Sequence, residues 1–151
     1  MKACQSVTSM AFMLGLLGAC AGGPSMNMSP VLTFTEADHG GSQQLGLGQN
    51  FEVKRLGTPT AGYVWEVQSL PTGIVLMDVT SQPQDPKGRA QGMVGGNDWT
   101  VFRFTTQRAP VDLQTSADQA VVLRYGRPWE LEAGQPATRI WRLKITVAPG
   151  S

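Results

Sequence analysis

The clearest structural signal in the sequence is the alternation Trp141-Arg142-Leu143-Lys144-Ile145-Thr146-Val147. Apolar side chains occupy every second position, and polar or charged side chains lie between them. Successive side chains of a β-strand point to opposite faces, so a strand with one buried face produces this period of two. The segment therefore predicts a strand that covers a hydrophobic core.

The same alternation recurs upstream, between turns rich in glycine and proline. The predicted strands are residues 31–35, 51–56, 63–67, 75–79, 99–104, 121–125 and 141–147. In the second of them, Phe51 and Val53 alternate before Arg55. We expect no helix, and we expect a loop over residues 106–120. About seven strands at this spacing favour an all-β, immunoglobulin-like antiparallel β-sandwich.

Residues 1–19 have the composition of a lipoprotein signal peptide. Lys2 precedes an apolar run over residues 10–17, which is shorter than the roughly 20 residues needed to span a bilayer. The run leads into Leu17-Gly18-Ala19-Cys20, which resembles the bacterial lipobox. The resemblance implies cleavage before Cys20 and lipidation of that cysteine, so we expect the protein to be attached to a membrane.

Residues 20–30 are predicted to be the lipidated N-terminus and a flexible tether. They carry no charge and are rich in glycine, proline, serine and methionine, which is typical of a linker. Ala21 follows the cysteine, in place of the aspartate that resembles an inner-membrane retention signal. We therefore expect the protein in the bacterial cell envelope, on the outer membrane, facing the periplasm or the exterior.

Residues 31–151 are predicted to form a single domain. Removal of the signal peptide would leave about 130 residues, which is enough for one hydrophobic core. Cys4 would be lost with that peptide and Cys20 would carry lipid, so we expect no disulfide. Lysine and arginine total 12 against 11 aspartate and glutamate, so the charge gives no indication of a nucleic-acid partner. We expect a monomer.

The side chains that enzymes use are scarce in this sequence. His39 is the single histidine, and no thiol remains to pair with it in the mature chain. Glu130 and Glu132 would share one face of a strand, but such a pair is more typical of a solvated edge than of a catalytic carboxylate pair. No spacing of ligands predicts a metal site. We therefore expect neither an enzyme, a cofactor nor a metal.

The segment Thr58-Pro59-Thr60-Ala61-Gly62-Tyr63 is predicted to be a preorganised turn that leads into a strand. Pro59 fixes its own φ and restricts Thr58, while Gly62 permits a positive φ that Tyr63 would hardly adopt. Considered alone, the turn is more simply interpreted as an ordinary strand connection. It becomes a candidate binding edge only together with other loops.

Strands that alternate in direction place alternate connections at the same end of a sandwich. Three loops would then lie together: the first loop (residues 58–63), the second loop (residues 82–97, with Gly92, Gly95 and Gly96) and the third loop (residues 126–129). The third loop contains Arg127-Pro128-Trp129. Considered alone, Trp129 is more simply interpreted as a core residue at the start of the last strand than as an exposed binding residue braced by proline.

The three loops in this order resemble the chagasin family of cysteine peptidase inhibitors. The resemblance is carried by three motifs: Thr58-Pro59-Thr60-Ala61-Gly62-Tyr63 followed by Trp65, a Gly95-Gly96 loop leading to Phe102 and Phe104, and Tyr125 with Arg127-Pro128-Trp129-Glu130. It implies a tight, reversible inhibitor of papain-like cysteine peptidases. The loops would occlude the active-site cleft without covalent chemistry.

The resemblance also implies a role for each loop. Thr60 would lie at the tip, next to the catalytic cysteine of the peptidase, on a turn shaped by Gly62 and anchored by Tyr63. The second loop would extend along the cleft through its glycines. The third loop would flank the other side with Arg127 and Trp129, and Pro128 would keep it stiff.

Two positions depart from the family pattern. The family usually has asparagine where this chain has Thr58, and a second threonine where it has Ala61. A side-chain bond that holds the turn is therefore expected to be weaker here. The alternative hypothesis is a lipid-anchored immunoglobulin-like module that binds another envelope protein or a glycan, because the fold by itself does not specify a partner.

Overall fold

The described part of the chain folds as two facing four-stranded sheets. This is a computed structural model, and it describes residues 30–107 and 120–148. One sheet has the order β1 (Leu32–Phe34), β3 (Asn50–Gly57), β6 (Asp98–Thr106) and β5 (Ile74–Pro83). The other has the order β2 (Ser42–Leu45), β8 (Arg139–Val147), β7 (Ala120–Gly126) and β4 (Val64–Ser69). The predicted signal peptide, Cys20 and the tether before Pro30 lie outside the described residues, as do residues 108–119 of the loop predicted over residues 106–120.

The hydrophobic core lies between the two sheets and is built from the predicted alternation. On β8, Trp141, Leu143 and Ile145 are at most 2% exposed, while the residues between them face solvent. Opposite them, the rings of Phe51 and Phe104 stack with their centroids 5.1 Å apart. Burial of such side chains stabilises the fold by about 25 cal/mol per Å² of apolar surface removed from water.

The predicted all-β, immunoglobulin-like sandwich is confirmed, with two differences in its strands. An additional strand, β2, lies at one edge, and its burial pattern has only Leu45 inside. A single apolar residue produces no alternation, which is why the sequence did not predict this strand. The second difference is the direction of two edge strands: β1 pairs with β3, and β2 pairs with β8, in parallel. The sequence had predicted an antiparallel sandwich.

The strand predicted at residues 75–79 is confirmed, but its apolar residues do not form a buried face. Val75, Met77 and Val79 are 37%, 63% and 45% exposed. The pairing of β5 with β6 shifts between Leu76 and Asp78, as in a β-bulge, and β5 lies at the edge of its sheet. An edge strand with a bulge buries fewer side chains than a regular central strand.

The expectation of no helix was wrong, because two short α-helices occur in the described chain: α1 (Pro86–Ala90) and α2 (Pro128–Glu132). Each begins with a proline, the residue that best fits the first turn of a helix. They are too short to produce a helical period of apolar residues. Glu130 and Glu132 therefore lie on a helix and not on a strand face.

The registers of the strands confirm that the three loops meet at one end of the sandwich. In the first sheet, Asp98 pairs with both Gly57 and Pro83, where the first and second loops begin. In the second sheet, Val64 pairs with Gly126, where the first loop ends and the third begins. The chain enters β1 at the opposite end, because Leu32 pairs with Phe51 at the start of β3.

Within residues 30–107 and 120–148, no helix combines the length and the apolar character needed to cross a membrane.

Candidate functional site: three loops at one end of the sandwich

The first loop is a single turn of 3-10 helix, Pro59–Ala61, closed by a glycine. Gly62 has φ of +78°, as predicted, and its N–H donates to the carbonyl of Pro59 at 2.9 Å. Thr60 is exposed at the middle of the turn. The turn is therefore compact, and it exposes the side chains of Pro59, Thr60 and Ala61.

The base of the first loop is held by two aromatic side chains. The hydroxyl of Tyr125 accepts a hydrogen bond from the N–H of Thr58 at 2.8 Å. The indole N–H of Trp65 donates to the carbonyl of Leu56 at 3.0 Å. The ring of Tyr63 stacks on that of Tyr125 with their centroids 5.4 Å apart. The base of the first loop is therefore held by an aromatic side chain from each of two strands, β4 and β7.

The side chain of Thr58 connects the first loop to the second. Its hydroxyl lies 3.0 Å from Oδ1 of Asn97, to which it donates a hydrogen bond. The sequence predicted a weak bond within the turn at this position, whereas the structure directs the hydroxyl to the neighbouring loop. Residue 58 therefore orders two loops relative to each other.

The second loop does not run in an extended conformation over its whole length, as the family resemblance implied. Helix α1 occupies its first half because Oδ1 of Asp85 accepts the N–H of Gly88 at 2.9 Å and Pro86 begins the helix. The base is closed by the N–H of Gln84, which donates to the carbonyl of Asn97 at 3.0 Å. Residues 93–97 are the longest segment of the loop without regular structure.

Glycines shape the second half of the second loop. Gly92, Gly95 and Gly96 all have positive φ, of 87°, 88° and 102°, which other residues adopt with strain. Between them lie Met93 and Val94, which are 57% and 97% exposed. These two adjacent apolar side chains are both exposed, and an exposed apolar group of this kind is a candidate contact with a partner.

The third loop is packed on the first. Trp129 is 59% exposed on α2, and a Cβ added to Gly62 would lie 3.1 Å from Cη2 of its ring. The Cζ of Arg127 lies 4.9 Å from the centroid of the Tyr63 ring. The alternative that places Trp129 in the core at the start of the last strand is wrong, because β8 begins at Arg139. Trp129 is instead an exposed ring in contact with the first loop.

A charged group lies beneath the first loop. Arg55 continues the inner face of β3 and is 2% exposed, although the sequence predicted the apolar alternation to end before it. Burial lowers the pKa of the Arg55 guanidinium, a hydrogen bond and the charge of Glu36 act in the opposite direction, and the charge of Arg139 lowers it further. Arg55 thus depends on Glu36 for its compensating charge.

The single histidine of the sequence is engaged in the fold. Nδ1 of His39 accepts the N–H of Arg142 at 3.1 Å, so the ring is used to hold strand β8. Over the described ranges, no group of three or more histidine, cysteine, aspartate or glutamate side chains is arranged to hold a metal ion. The side chains that the three loops expose include the polar Thr60 and the large apolar Val94 and Trp129.

All twelve site residues predicted from the sequence lie on these three loops: Thr58, Pro59, Thr60, Ala61, Gly62, Tyr63, Gly92, Gly95, Gly96, Arg127, Pro128 and Trp129. The first and third loops are in direct contact, and the second is joined to the first through Asn97. Sequence reasoning missed Asn97 and Val94. The pair Met93-Val94 between glycines was a visible signal for Val94, whereas the sequence has no signal for the partner of Thr58.

Comparisons with known proteins agree with this geometry. A cysteine protease inhibitor from Entamoeba histolytica is 19% identical, with a TM-score of 0.60, and the match covers 78% of this chain and 96% of that protein. Amebosin is 25% identical, with a TM-score of 0.56, and the match covers 79% of this chain and 99% of that protein. The likeness to the first structure shows the fold alone. No curated protein sequence matches significantly.

The family model described as Chagasin family peptidase inhibitor I42 matches residues 44–147. The match begins in β2, ends at the last residue of β8 and includes all three loops. A family of inhibitors confirms the expectation that the chain is not an enzyme. The chain belongs to the chagasin family of peptidase inhibitors.

Proposed function

We propose that this domain is a reversible, tight-binding inhibitor of papain-like cysteine peptidases that occludes the active-site cleft with its three loops. The observation that carries the proposal is the joining of the loops into one surface, by the contact of Trp129 with Gly62 and the hydrogen bond from Thr58 to Asn97. The family match supports peptidase inhibition in general. The partner would be a papain-like cysteine peptidase, bound by a monomer.

In the proposed complex, Thr60 lies at the tip of the first loop, next to the catalytic cysteine of the peptidase. Peptidases cleave bonds that are held in attack geometry, and that alignment carries much of their rate advantage. The 3-10 turn at Pro59–Ala61 differs from the extended conformation of a substrate, which supports resistance to cleavage. After incubation with active peptidase, mass spectrometry should find the first loop intact.

Rigidity supports high affinity. A standard interface buries about 800 Å² on each partner, and nanomolar binding needs about −12 kcal/mol after the cost of ordering has been met. The hydrogen bond from Thr58 to Tyr125 and the left-handed Gly62 hold the first loop in one conformation before binding. The free-energy cost of ordering the first loop on binding would then be small.

The decisive experiment is a titration of active papain with the purified protein, in which residual hydrolysis of a fluorogenic peptide is measured. We expect stoichiometric inhibition that is reversed on dilution. The protein's circular dichroism confirms that it is folded in the same sample. A folded protein that inhibits neither papain nor related cathepsins would contradict the proposal and favour the alternative, a binding module for another envelope protein or a glycan.

Replacement of Thr58 by alanine is expected to raise the inhibition constant about 3- to 10-fold, because a hydrogen bond contributes roughly 0.5–1.5 kcal/mol. The loss removes the connection between the first and second loops. Thr58→Ser is the matched control, since it keeps the hydroxyl and should inhibit nearly as well as the original protein. Equal inhibition by the alanine and serine variants would mean that the bond to Asn97 has no role.

Replacement of Val94 by aspartate is expected to weaken inhibition by about tenfold or more, because it places an unpaired charge in a desolvated interface. Its side chain is 97% exposed, so the free energy of unfolding should hardly change. Val79→Asp, on the exposed edge of β5 and away from the loops, controls for the added charge. Inhibition that is unaffected by Val94→Asp would exclude the tip of the second loop from the interface.

We further propose that Cys20 anchors the protein to the outer membrane of a bacterial envelope. Support comes from the lipobox-like sequence, and from the entry of the chain into the sandwich at the end opposite the three loops. A tether attached there would direct the loops away from the membrane. Cys20→Ser should move the protein from the membrane fraction to the soluble fraction, and continued sedimentation of that variant with membranes would contradict lipid anchoring.

A further inference from the structure

One carboxylate joins two guanidinium groups directly behind the first loop. Glu36 forms an ion pair with Arg55, and its Oε2 lies 3.6 Å from Nη2 of Arg139. The side chain of Arg55 is 2% exposed, whereas those of Arg139 and Glu36 are 51% and 67% exposed. The cluster therefore links a buried cation to a cation at the surface through a single carboxylate.

Both cations lie on the aromatic residues that hold the loop. The Cζ of Arg55 is 4.4 Å from the centroid of Trp65. The Cζ of Arg139 is 5.4 Å from Trp65 and 5.6 Å from Tyr125. These are the two side chains whose polar atoms bind the backbone of Leu56 and Thr58 at the base of the first loop. Each cation is therefore separated from the backbone of the first loop by one aromatic side chain that it contacts.

The position of Glu36 is itself fixed by the fold. It lies in a turn of 3-10 helix, Glu36–Asp38, in which Oδ2 of Asp38 accepts the N–H of Thr35 at 2.7 Å. The carbonyl of Thr35 accepts the indole N–H of Trp141 at 2.9 Å, which ties the turn to the core. Its carboxylate therefore reaches the two arginines from a turn that is held by these hydrogen bonds.

Without this carboxylate, two like charges would lie close together beside Trp65 with no opposite charge between them. A buried guanidinium that loses its partner gains stability by moving toward water, and repulsion from Arg139 acts in the same direction. Either movement would remove the packing that supports Trp65 and Tyr125. The hydrogen bond from the N–H of Thr58 to the hydroxyl of Tyr125 would then weaken.

We propose that Glu36 is a positioning residue for inhibition: by holding Arg55 and Arg139 on Trp65 and Tyr125, it keeps the first loop in its binding conformation without touching the peptidase. This role rests on the proposed inhibitory function. It assigns a part in inhibition to a residue outside the three loops. Glu36, Arg55 and Arg139 belong to none of the motifs that carry the family resemblance. The two arginines contact two residues of those motifs, Trp65 and Tyr125.

The test is hydrogen exchange of the Thr58 amide, measured by NMR on the purified full chain, together with inhibition of papain. For Glu36→Gln we expect exchange at Thr58 to become about tenfold faster relative to the amides of β7 and β8, and the inhibition constant to rise about tenfold. Glu66→Gln is the matched control, because Glu66 lies 3.4 Å from Nε of Arg124, outside this cluster. In the Glu66→Gln variant, exchange at the Thr58 amide and inhibition of papain should match those of the original protein.

Arg139→Gln separates positioning from a general loss of stability, since it preserves the pair between Glu36 and Arg55. It should accelerate exchange at Thr58 by a smaller factor, and it should reduce the effect of Glu36→Gln when the two changes are combined, because the repulsion is then absent. If Glu36→Gln prevents folding, hydrogen exchange of the Thr58 amide in the Arg139→Gln variant tests the proposal instead. Unchanged exchange at Thr58 in that variant would overturn the proposal.

The two proposals can fail separately. If the original protein does not inhibit papain, the inhibitory function fails, while exchange at Thr58 still reports whether Glu36 holds the loop. If the original protein inhibits papain and Glu36→Gln matches Glu66→Gln in both measurements, the positioning role of Glu36 is wrong and the inhibitory function stands.

Discussion

Replacement of Trp129 by alanine is expected to weaken inhibition of a papain-like peptidase about 30-fold, with little change in the free energy of unfolding. Truncation of an aromatic hot-spot residue costs about 2 kcal/mol of binding free energy, which corresponds to that factor. The ring is 59% exposed, so few core contacts are lost. It also lies on Gly62, so its removal withdraws support from the first loop. Inhibition constants and urea unfolding curves measure the two effects.

The control for Trp129→Ala is Met77→Ala, which removes a side chain of similar exposure, 63%, from the edge strand β5. That variant should inhibit as well as the original protein. Trp129→Phe should recover part of the lost affinity, because it keeps an aromatic ring over Gly62. If Trp129→Ala and Met77→Ala have the same inhibition constant, the third loop does not contact the peptidase.

Replacement of Trp141 by alanine is expected to lower the free energy of unfolding by about 3–5 kcal/mol, the range found when a large aromatic residue is removed from a core. Trp141 has no exposed surface, and its indole N–H donates to the carbonyl of Thr35. The change would leave a cavity between the sheets and an unpaired carbonyl. Natural domains are stable by only about 5–15 kcal/mol, so the variant should be close to unfolding.

Ile140→Ala provides the comparison for Trp141→Ala, because Ile140 is the preceding residue on the same strand and is 39% exposed. The alternation places its side chain on the opposite face of β8. We expect Ile140→Ala to lower the free energy of unfolding by less than about 1 kcal/mol, as for most surface substitutions. Urea unfolding followed by tryptophan fluorescence measures both variants, and equal destabilisation would contradict the burial pattern of β8.

The fold was largely predictable because most of its strands carry a regular alternation. Those that cover the core at its centre, such as β6 and β8, are also the strongest signals in the sequence. The failures have local causes. Strand β2 buries only Leu45. The sequence signal of the two short helices is limited to a proline at the first turn of each and a capping aspartate at α1. Neither signal has the length that periodicity requires.

The sequence predicted which segments form the three loops, but it did not predict the contacts between them. Pro59 and Gly62 identify a rigid turn, because each limits or permits particular values of φ. The packing of Trp129 on Gly62 and the bond from Thr58 to Asn97 join segments that are distant in sequence. No local pattern encodes such pairs, so sequence reasoning left Trp129 between a core and a surface position.

The sequence by itself determined the class of fold, the positions of most strands and the turn that Gly62 makes, since all of these follow from local backbone preferences and from the period of a strand. Only the tertiary structure decided that Arg55 lies inside the sandwich. A charged side chain in an alternating strand looks like the end of the buried face. It becomes acceptable there only when Glu36 and the ring of Trp65, from other parts of the chain, supply a compensating charge and a surface to stack on.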